Sequence, residues 1–228
     1  MTDIAVIDYG MGNLRSVAKA IEHVAPDLAV SVTSDPRIVR RAARVVFPGQ
    51  GAMPDCMREM DARGLRDAVV TAAREKPFLG ICIGLQMLFE HSEEGDVSGL
   101  GLLPGTVRRF AAAAMVDAQG AKLKVPHMGW NEVHQTMAHP LWEGIPTASR
   151  FYFVHSYYVE PATPQLVAGY SLYPSSFACA VASNNVFAVQ FHPEKSHAAG
   201  LRLLANFVAW QPLRYMAPAS GRSHSPVL

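Results

Sequence analysis

The chain has 228 residues, half of them hydrophobic and 17% charged, enough for one large domain or two small ones with a well-buried core. Its net charge of +1, from 20 basic and 19 acidic side chains, gives no electrostatic case for nucleic acid or an anionic membrane. No stretch reaches 18 uninterrupted apolar residues and no basic leader precedes the first strand-like run, so a cytoplasmic protein is expected.

Ile4 to Ile7 reads as a short buried strand, followed by a turn-rich loop from Asp8 to Asn13. A helix follows from Leu14 to about Val24, with Leu14, Val17, Ala18 and Ile21 on one face. Gly10-Met11-Gly12 falls short of a dinucleotide fingerprint because Arg15 stands where the third glycine belongs. Leu28 to Thr33 is a second strand, Pro36 to Arg41 a short helix, and Ala43 to Phe47 a third strand ending in Pro48-Gly49-Gln50-Gly51. The arginines from Arg37 to Arg44 read as a solvated face. Met57 to Ala73 is expected as one helix. Pro77 to Ile81 is a fourth strand, Cys82 a sharp turn, and the apolar run after it a helix. Alternating strands and helices predict a doubly wound parallel sheet, whose functional loops lie at the strands' C-terminal ends.

After Gly95 the character changes. Gly105 to Phe110, Leu123 to Val125 and Trp130 to Val133 read as strands of an antiparallel extension, and Phe151 to Val159, Leu166 to Ser171, Phe177 to Ala182 and Val186 to Gln190 continue the β pattern. Ala111 to Gly120 reads as a hairpin loop, and Asn184-Asn185 as a hairpin turn. Pro140 to Pro146 reads as a loop with a short helix. The last helix runs from about His197 to Trp210. One domain is expected over residues 1–210, with a Pro- and Ser-rich tail at 211–228 read as disordered.

Three cysteines, Cys56, Cys82 and Cys179, form neither a disulfide framework nor a metal-ligand set and fit a reducing compartment. Cys82 differs from the other two in its frame, Gly80-Ile81-Cys82-Ile83-Gly84. Small residues two before and two after a strand-to-helix turn allow a nucleophile elbow. Among nine histidines, His192 stands out because Glu194 lies two residues on, on the same side of an extended segment, with Pro193 fixing φ between them. The carboxylate can then accept the imidazole Nδ1–H and leave Nε2 to the thiol. His155, in a buried-looking aromatic strand, reads as structural. Backbone N–H groups of Gly51 and Ile83 are candidates for an oxyanion site. Together these parts suit acyl transfer from an amide through a thioester.

Three motifs, Pro48-Gly49-Gln50-Gly51, Gly80 to Gln86, and Gln190-Phe191-His192-Pro193-Glu194, resemble those of the class I (triad) glutamine amidotransferases. That resemblance implies a flavodoxin-like α/β fold with an antiparallel β extension, hydrolysis of L-glutamine to glutamate and ammonia, and no cofactor or metal. Asp8-Tyr9-Gly10-Met11-Gly12-Asn13-Leu14, Met128-Gly129-Trp130-Asn131 and His192 to Ser196 are similar to the glutaminase subunits of imidazole glycerol phosphate synthases, over about residues 3 to 210. Those subunits imply a heterodimer with a (β/α)₈ cyclase, which receives the ammonia in histidine biosynthesis. By the same resemblance, Gln86 and Glu94 hold the α-amino and α-carboxylate end of glutamine, Ser156 and Tyr157 offer backbone contacts, and Gly49 lines the pocket. Asn13, Trp130 and Lys195 face the cyclase; a core aromatic is the alternative for Trp130, but its Met-Gly-Trp-Asn setting beside loop prolines suits an interface better. Gln50 departs from the small apolar residue common at its place. The family's oxyanion loop is typically misoriented without a loaded partner, so weak activity is expected of the lone glutaminase; one missing donor costs on the order of 10² to 10³ in rate. Glutaminases serving pyridoxal phosphate or p-aminobenzoate synthesis, and a non-catalytic module of the same fold, are the alternatives. The Asp8 and Met128 motifs argue against the first two, and the intact Cys82, His192 and Glu194 against the third.

Overall fold

The computed structural model describes residues 2–111, 115–116 and 122–212. Most of the expected 111–120 loop and of the 211–228 tail lies outside them. Five parallel strands form one half of the sheet: β1 (Ile4–Ile7), β2 (Val30–Thr33), β3 (Arg44–Phe47), β4 (Phe78–Ile81) and β13 (Val186–Val189), in the order β2-β1-β3-β4-β13. β1, β4 and β13 are buried at every position, as expected of strands covered on both faces. One face carries α1 (Leu14–Val24) and the last helix, α6 (His197–Ala209); the other carries α3 (Met53–Ala62) and α4 (Arg66–Glu75). A short α2 (Pro36–Arg41) is capped by the Asp35 carboxylate, which accepts from the Arg37 N–H at 2.8 Å.

Beyond β13 the sheet continues antiparallel through β12 (Ser176–Ser183), β10 (Tyr157–Pro161) and β7 (Leu103–Arg109), then to β5 (Phe89–Ser92), which runs parallel to β7, and to the antiparallel edge strand β6 (Val97–Ser98). β11 (Val167–Leu172) leaves this path from β12 and leads to β8 (His127–Gln135) and β9 (Ser149–His155).

Four expected elements come out differently. The helix over Met57 to Ala73 is two, because Gly64 takes φ +63° just past α3, and Pro54 moves the start of α3 back to Met53. The helix after Cys82 is only α5 (Ile83–Gln86); Phe89 instead joins β5 beside β7, where long-range pairing overrides a helical apolar pattern. The aromatic strand from Phe151 to Val159 divides at Ser156, since β9 pairs β8 while β10 pairs β7 and β12. Leu123 to Val125 is not strand; the neighbouring Lys122 makes only an isolated bridge to Val116.

Candidate active site

Four parallel strands end on one edge, and each delivers part of the site there. β1 delivers Asp8 to Asn13, β3 delivers Pro48 to Gly51, β4 delivers Cys82, and β13 delivers Gln190 to Glu194. They border a cavity of about 450 Å³ lined by Gln50, Gly51, Cys82, Ile83, Gln86 and Glu94, and, across it, by the Tyr152–Tyr157 segment, His192 and Lys195.

Cys82 sits at the elbow with φ 56° and ψ −113°, a backbone region that a side chain enters at a cost of about 1–3 kcal/mol. Its own N–H donates to the Val189 carbonyl at 2.8 Å, which ties the turn to β13. Gly84 is required by contact: a Cβ there would fall on the Phe47 carbonyl oxygen, so any larger residue would push α5 off β3. Cys82 is 8% exposed and borders the cavity.

His192 Nδ1 and Glu194 Oε1 are 2.8 Å apart, and both side chains are almost wholly buried. The carboxylate accepts, so Nδ1 carries the proton. Among the described residues, His192 Nε2 is buried without a hydrogen-bond partner, and it faces the site that also holds Cys82. Burial disfavours the imidazolium, yet the negative charge of a Cys82 thiolate and the Glu194 carboxylate outweigh it and raise the His192 pKa to about 10. The Cys82 effect acts through proximity; Nε2 and Sγ do not meet as a hydrogen bond here.

Ile83 opens α5, so its N–H has no helical carbonyl to bond. Gly51 holds φ +120°, with Met11 packed where a side chain would project. Gly49 does not line the cavity as expected: it is buried one layer below, with its Cα against the Tyr9 hydroxyl and Ile83. Gln50 does line it, and its carbonyl lies 3.7 Å from the Cys56 thiol.

On the opposite wall, Gln86 spends its amide nitrogen on the Tyr157 carbonyl (3.1 Å) and Gln190 Oε1 (3.0 Å). Its own Oε1 is what remains for a ligand. Glu94 Oε2 accepts from the Met53 N–H at 2.8 Å, which anchors it at the start of α3. Ser156 O accepts from the Phe110 N–H, flanking the Tyr157–Arg109 pair, so the Tyr157 N–H and C=O point away from β7. Lys195 borders the cavity with Nζ 5.9 Å from the Tyr152 ring. Asn13 is exposed, and Trp130 is 38% exposed, stacked on His197. Gln190, which the sequence marks only as part of a motif, has its Nε2 3.8 Å from Cys82 Sγ. Its position directly after a buried strand was the available signal. Among the described residues no group of three or more His, Cys, Asp or Glu is placed to hold a metal ion.

A model of the family "Glutamine amidotransferase class-I" matches residues 5–210. A curated relative from Nitrosospira multiformis, described as imidazole glycerol phosphate synthase subunit HisH, is 70% identical over 93% of this chain and 100% of its own length. The HisH protein from Aromatoleum aromaticum is 71% identical with the same two coverages. Among solved structures, a glutamine amidotransferase aligns with TM-score 0.67 at 16% identity, over 91% of this chain and all of its own. Another glutamine amidotransferase, from Thermotoga maritima, aligns with TM-score 0.60 at 14% identity, over 91% of this chain and 96% of its own. These two structures speak to the fold.

Proposed function

We propose a division of labour among these residues from one premise: the chain belongs to the class-I glutamine amidotransferases and, within them, to the HisH subunits of imidazole glycerol phosphate synthase. It is a glutaminase subunit in histidine biosynthesis and hydrolyses L-glutamine to L-glutamate and ammonia. The observation that carries the residue assignment is the buried His192–Glu194 hydrogen bond, with Nε2 left unpartnered in the cavity that Cys82 borders.

In this reading Glu194 fixes the tautomer, and His192 Nε2 takes the Cys82 proton. The thiolate attacks the side-chain amide carbon of glutamine. Negative charge builds on the carbonyl oxygen, against the Gly51 and Ile83 N–H groups. The C–N bond breaks as the His192 imidazolium protonates the leaving nitrogen, giving ammonia and a thioester. Water, deprotonated by His192, attacks the thioester; the C–S bond breaks, and glutamate leaves with the thiol restored. Gln86 Oε1 and the Glu94 carboxylate take the α-ammonium, while the free Tyr157 N–H and the Ser156 backbone take the α-carboxylate.

The ammonia goes to a separate cyclase, in the cytoplasm. Asn13, the Lys195 ammonium and Trp130 face it; Trp130 shares its exposed surface with Met128 and Leu172, which are 62% and 53% exposed, and such a cluster suits a partner. The catalytic domain is residues 1–210, a span supported by the family match and by the end of α6 at Ala209.

The test is glutamate release by the purified chain with and without the cyclase partner and its nucleotide. Nucleotide-stimulated release is expected, and Cys82→Ala lowers it on the order of 10⁴-fold or more. Unchanged release by Cys82→Ala overturns the assignment, and stimulation by an unrelated synthase but not by the cyclase overturns the partner.

A further inference from the structure

At and behind one wall of the glutamine cavity lie two buried histidines that the mechanism does not use. His127 on β8 and His155 on β9 are directly opposite in the antiparallel ladder. His127 Nδ1 and His155 Nε2 are 3.0 Å apart. His155 borders the glutamine cavity, and His127 borders a second cavity of about 410 Å³ beside Trp130, Asn131 and Tyr173. The two rings therefore form the partition between an inner and an outer space.

Hydrogen positions along this partition follow from chemistry. His155 Nδ1 is 2.7 Å from the Tyr157 carbonyl oxygen, which only accepts, so Nδ1 carries the proton. Burial pushes the pKa values of His155 and His127 down, to about 3 and about 4, so both rings are neutral near pH 7. The His155 Nε2 is then bare and accepts from His127 Nδ1–H. The His127 Nε2 is bare in turn and accepts from the Asn131 amide at 3.3 Å, whose second N–H donates to the Leu172 carbonyl at 2.9 Å. The Asn131 Oδ1 accepts from the Glu132 N–H, which fixes the amide's orientation. Every donor has one acceptor, and no other proton assignment satisfies all of them. Both rings are held as the Nδ1–H tautomer, the minor one for histidine in water.

The last acceptor in the series is the Tyr157 carbonyl. It takes one bond from His155 and a second from Gln86 Nε2, so both lone pairs are filled. The N–H of the same residue lies on the same side of the strand as its carbonyl, away from β7, and Tyr157 lines the cavity. Gln86 links onward to Gln190, whose Nε2 lies 3.8 Å from Cys82 Sγ.

We propose that Asn131, His127 and His155 are positioning residues for the glutamine site: a one-directional hydrogen-bond relay, set by the Asn131 amide, that locks the Tyr157 peptide and Gln86 in the geometry that binds the substrate's α-carbon end. This rests on the glutaminase reading above. The relay runs from the surface around Trp130 to the substrate wall, so the state of that surface reaches the pocket through proton direction.

The test reverses the relay at its head. Asn131→Asp replaces the donor on His127 Nε2 with an acceptor. His127 then carries its proton on Nε2, His155 must donate from Nε2, and its bare Nδ1 faces the Tyr157 carbonyl. Ring ¹⁵N resonances of the otherwise unaltered chain are expected to report Nδ1–H for both histidines; an Nε2–H tautomer for either one overturns the relay and needs no variant. In the Cys82→Ala background, Asn131→Asp is expected to weaken glutamine binding by about tenfold in titration calorimetry, with the His155 Nδ1 resonance moving to the bare position. With Cys82 intact and the cyclase saturating, KM for glutamine rises by a similar factor while kcat stays within about twofold. An unchanged glutamine affinity, or a loss in kcat alone, overturns the positioning role. If Cys82→Ala binds no glutamine and the chain with its partner releases no glutamate, the glutaminase reading fails and takes this role with it. The tautomers alone are then still measured.

Discussion

In the parallel half of the sheet, β1, β4 and β13 are buried at every residue, whereas in the antiparallel extension β9 alternates buried with half-buried positions and β8 is mostly half-buried or exposed. The first half holds its chemistry at strand ends, on turns that the packed apolar layer leaves no room to change. The second holds polar side chains, His127 and His155, inside the sheet itself. A fully apolar strand has no hydrogen-bonding demand from its side chains and can support a strained elbow. A strand with buried imidazoles must satisfy each of them, and the satisfied network then has a direction. The two halves thus supply different things to one cavity: the parallel half provides nucleophile and base, and the extension provides the wall against which the substrate is held.

The steepest test of this contrast is Gly84→Ala. Its methyl would overlap the Phe47 carbonyl in the rigid half, so a loss of about 3 kcal/mol is expected in denaturant titration, at the upper end for overpacking. A fully stable Gly84→Ala would mean that the parallel layer yields more readily than its burial implies. On the extension, Trp130→Ala should leave stability within about 0.5 kcal/mol yet weaken the complex with the cyclase by about 2 kcal/mol, roughly 30-fold, read by titration of the partner. An unchanged affinity would move the partner surface elsewhere.

Changing pH separates the halves by sign. Unfolded imidazoles titrate near 6.5. His127 and His155 have depressed values in the fold, so below pH 6.5 the unfolded chain binds protons that the folded one refuses. Stability falls as pH drops from 6.5 toward 4, by up to about 1.4 kcal/mol per pH unit for each group. His192 is raised, so the folded chain keeps a proton that the unfolded one loses. Its contribution is complete below pH 6.5 and disappears as pH rises from there toward about 10. Denaturant midpoints across pH should therefore flatten on the acid side in His155→Phe and on the alkaline side in His192→Asn; the opposite pairing would refute the assignment. The smallest effect expected is for Asp35→Ala, which removes the α2 cap far from the cavity: about 1 kcal/mol in thermal melts, with no change in glutamate release.

The parallel half was largely legible from the sequence. Continuous apolar runs at Ile4–Ile7 and Phe78–Ile81 leave few alternatives to buried strands, and glycines two places either side of Cys82 mark an elbow. Misreadings there came from local pattern yielding to long-range pairing, as when Phe89 left a helical run to enter β5. In the extension, Phe151 to Val159 is uniformly β-prone, so nothing local marks the break at Ser156 that sends β9 and β10 to different partners. His155 was placed as buried and structural; its link to Tyr157 and His127 needed the register of that broken strand.

By itself, then, the sequence determined which loops follow the parallel strands and that His192 and Glu194 pair, because residues two apart cannot separate far; the expected extended segment is instead a 3₁₀ turn over Pro193–Lys195, and that turn brings the carboxylate to Nδ1. Only the tertiary structure decided which lone pairs remain open at the cavity. The filled Tyr157 carbonyl depends on Gln86, and the proton direction from Asn131 to His155 on the bond between His127 and His155; both are contacts between residues tens of positions apart, and a hydrogen bond has no direction until both its partners are in place.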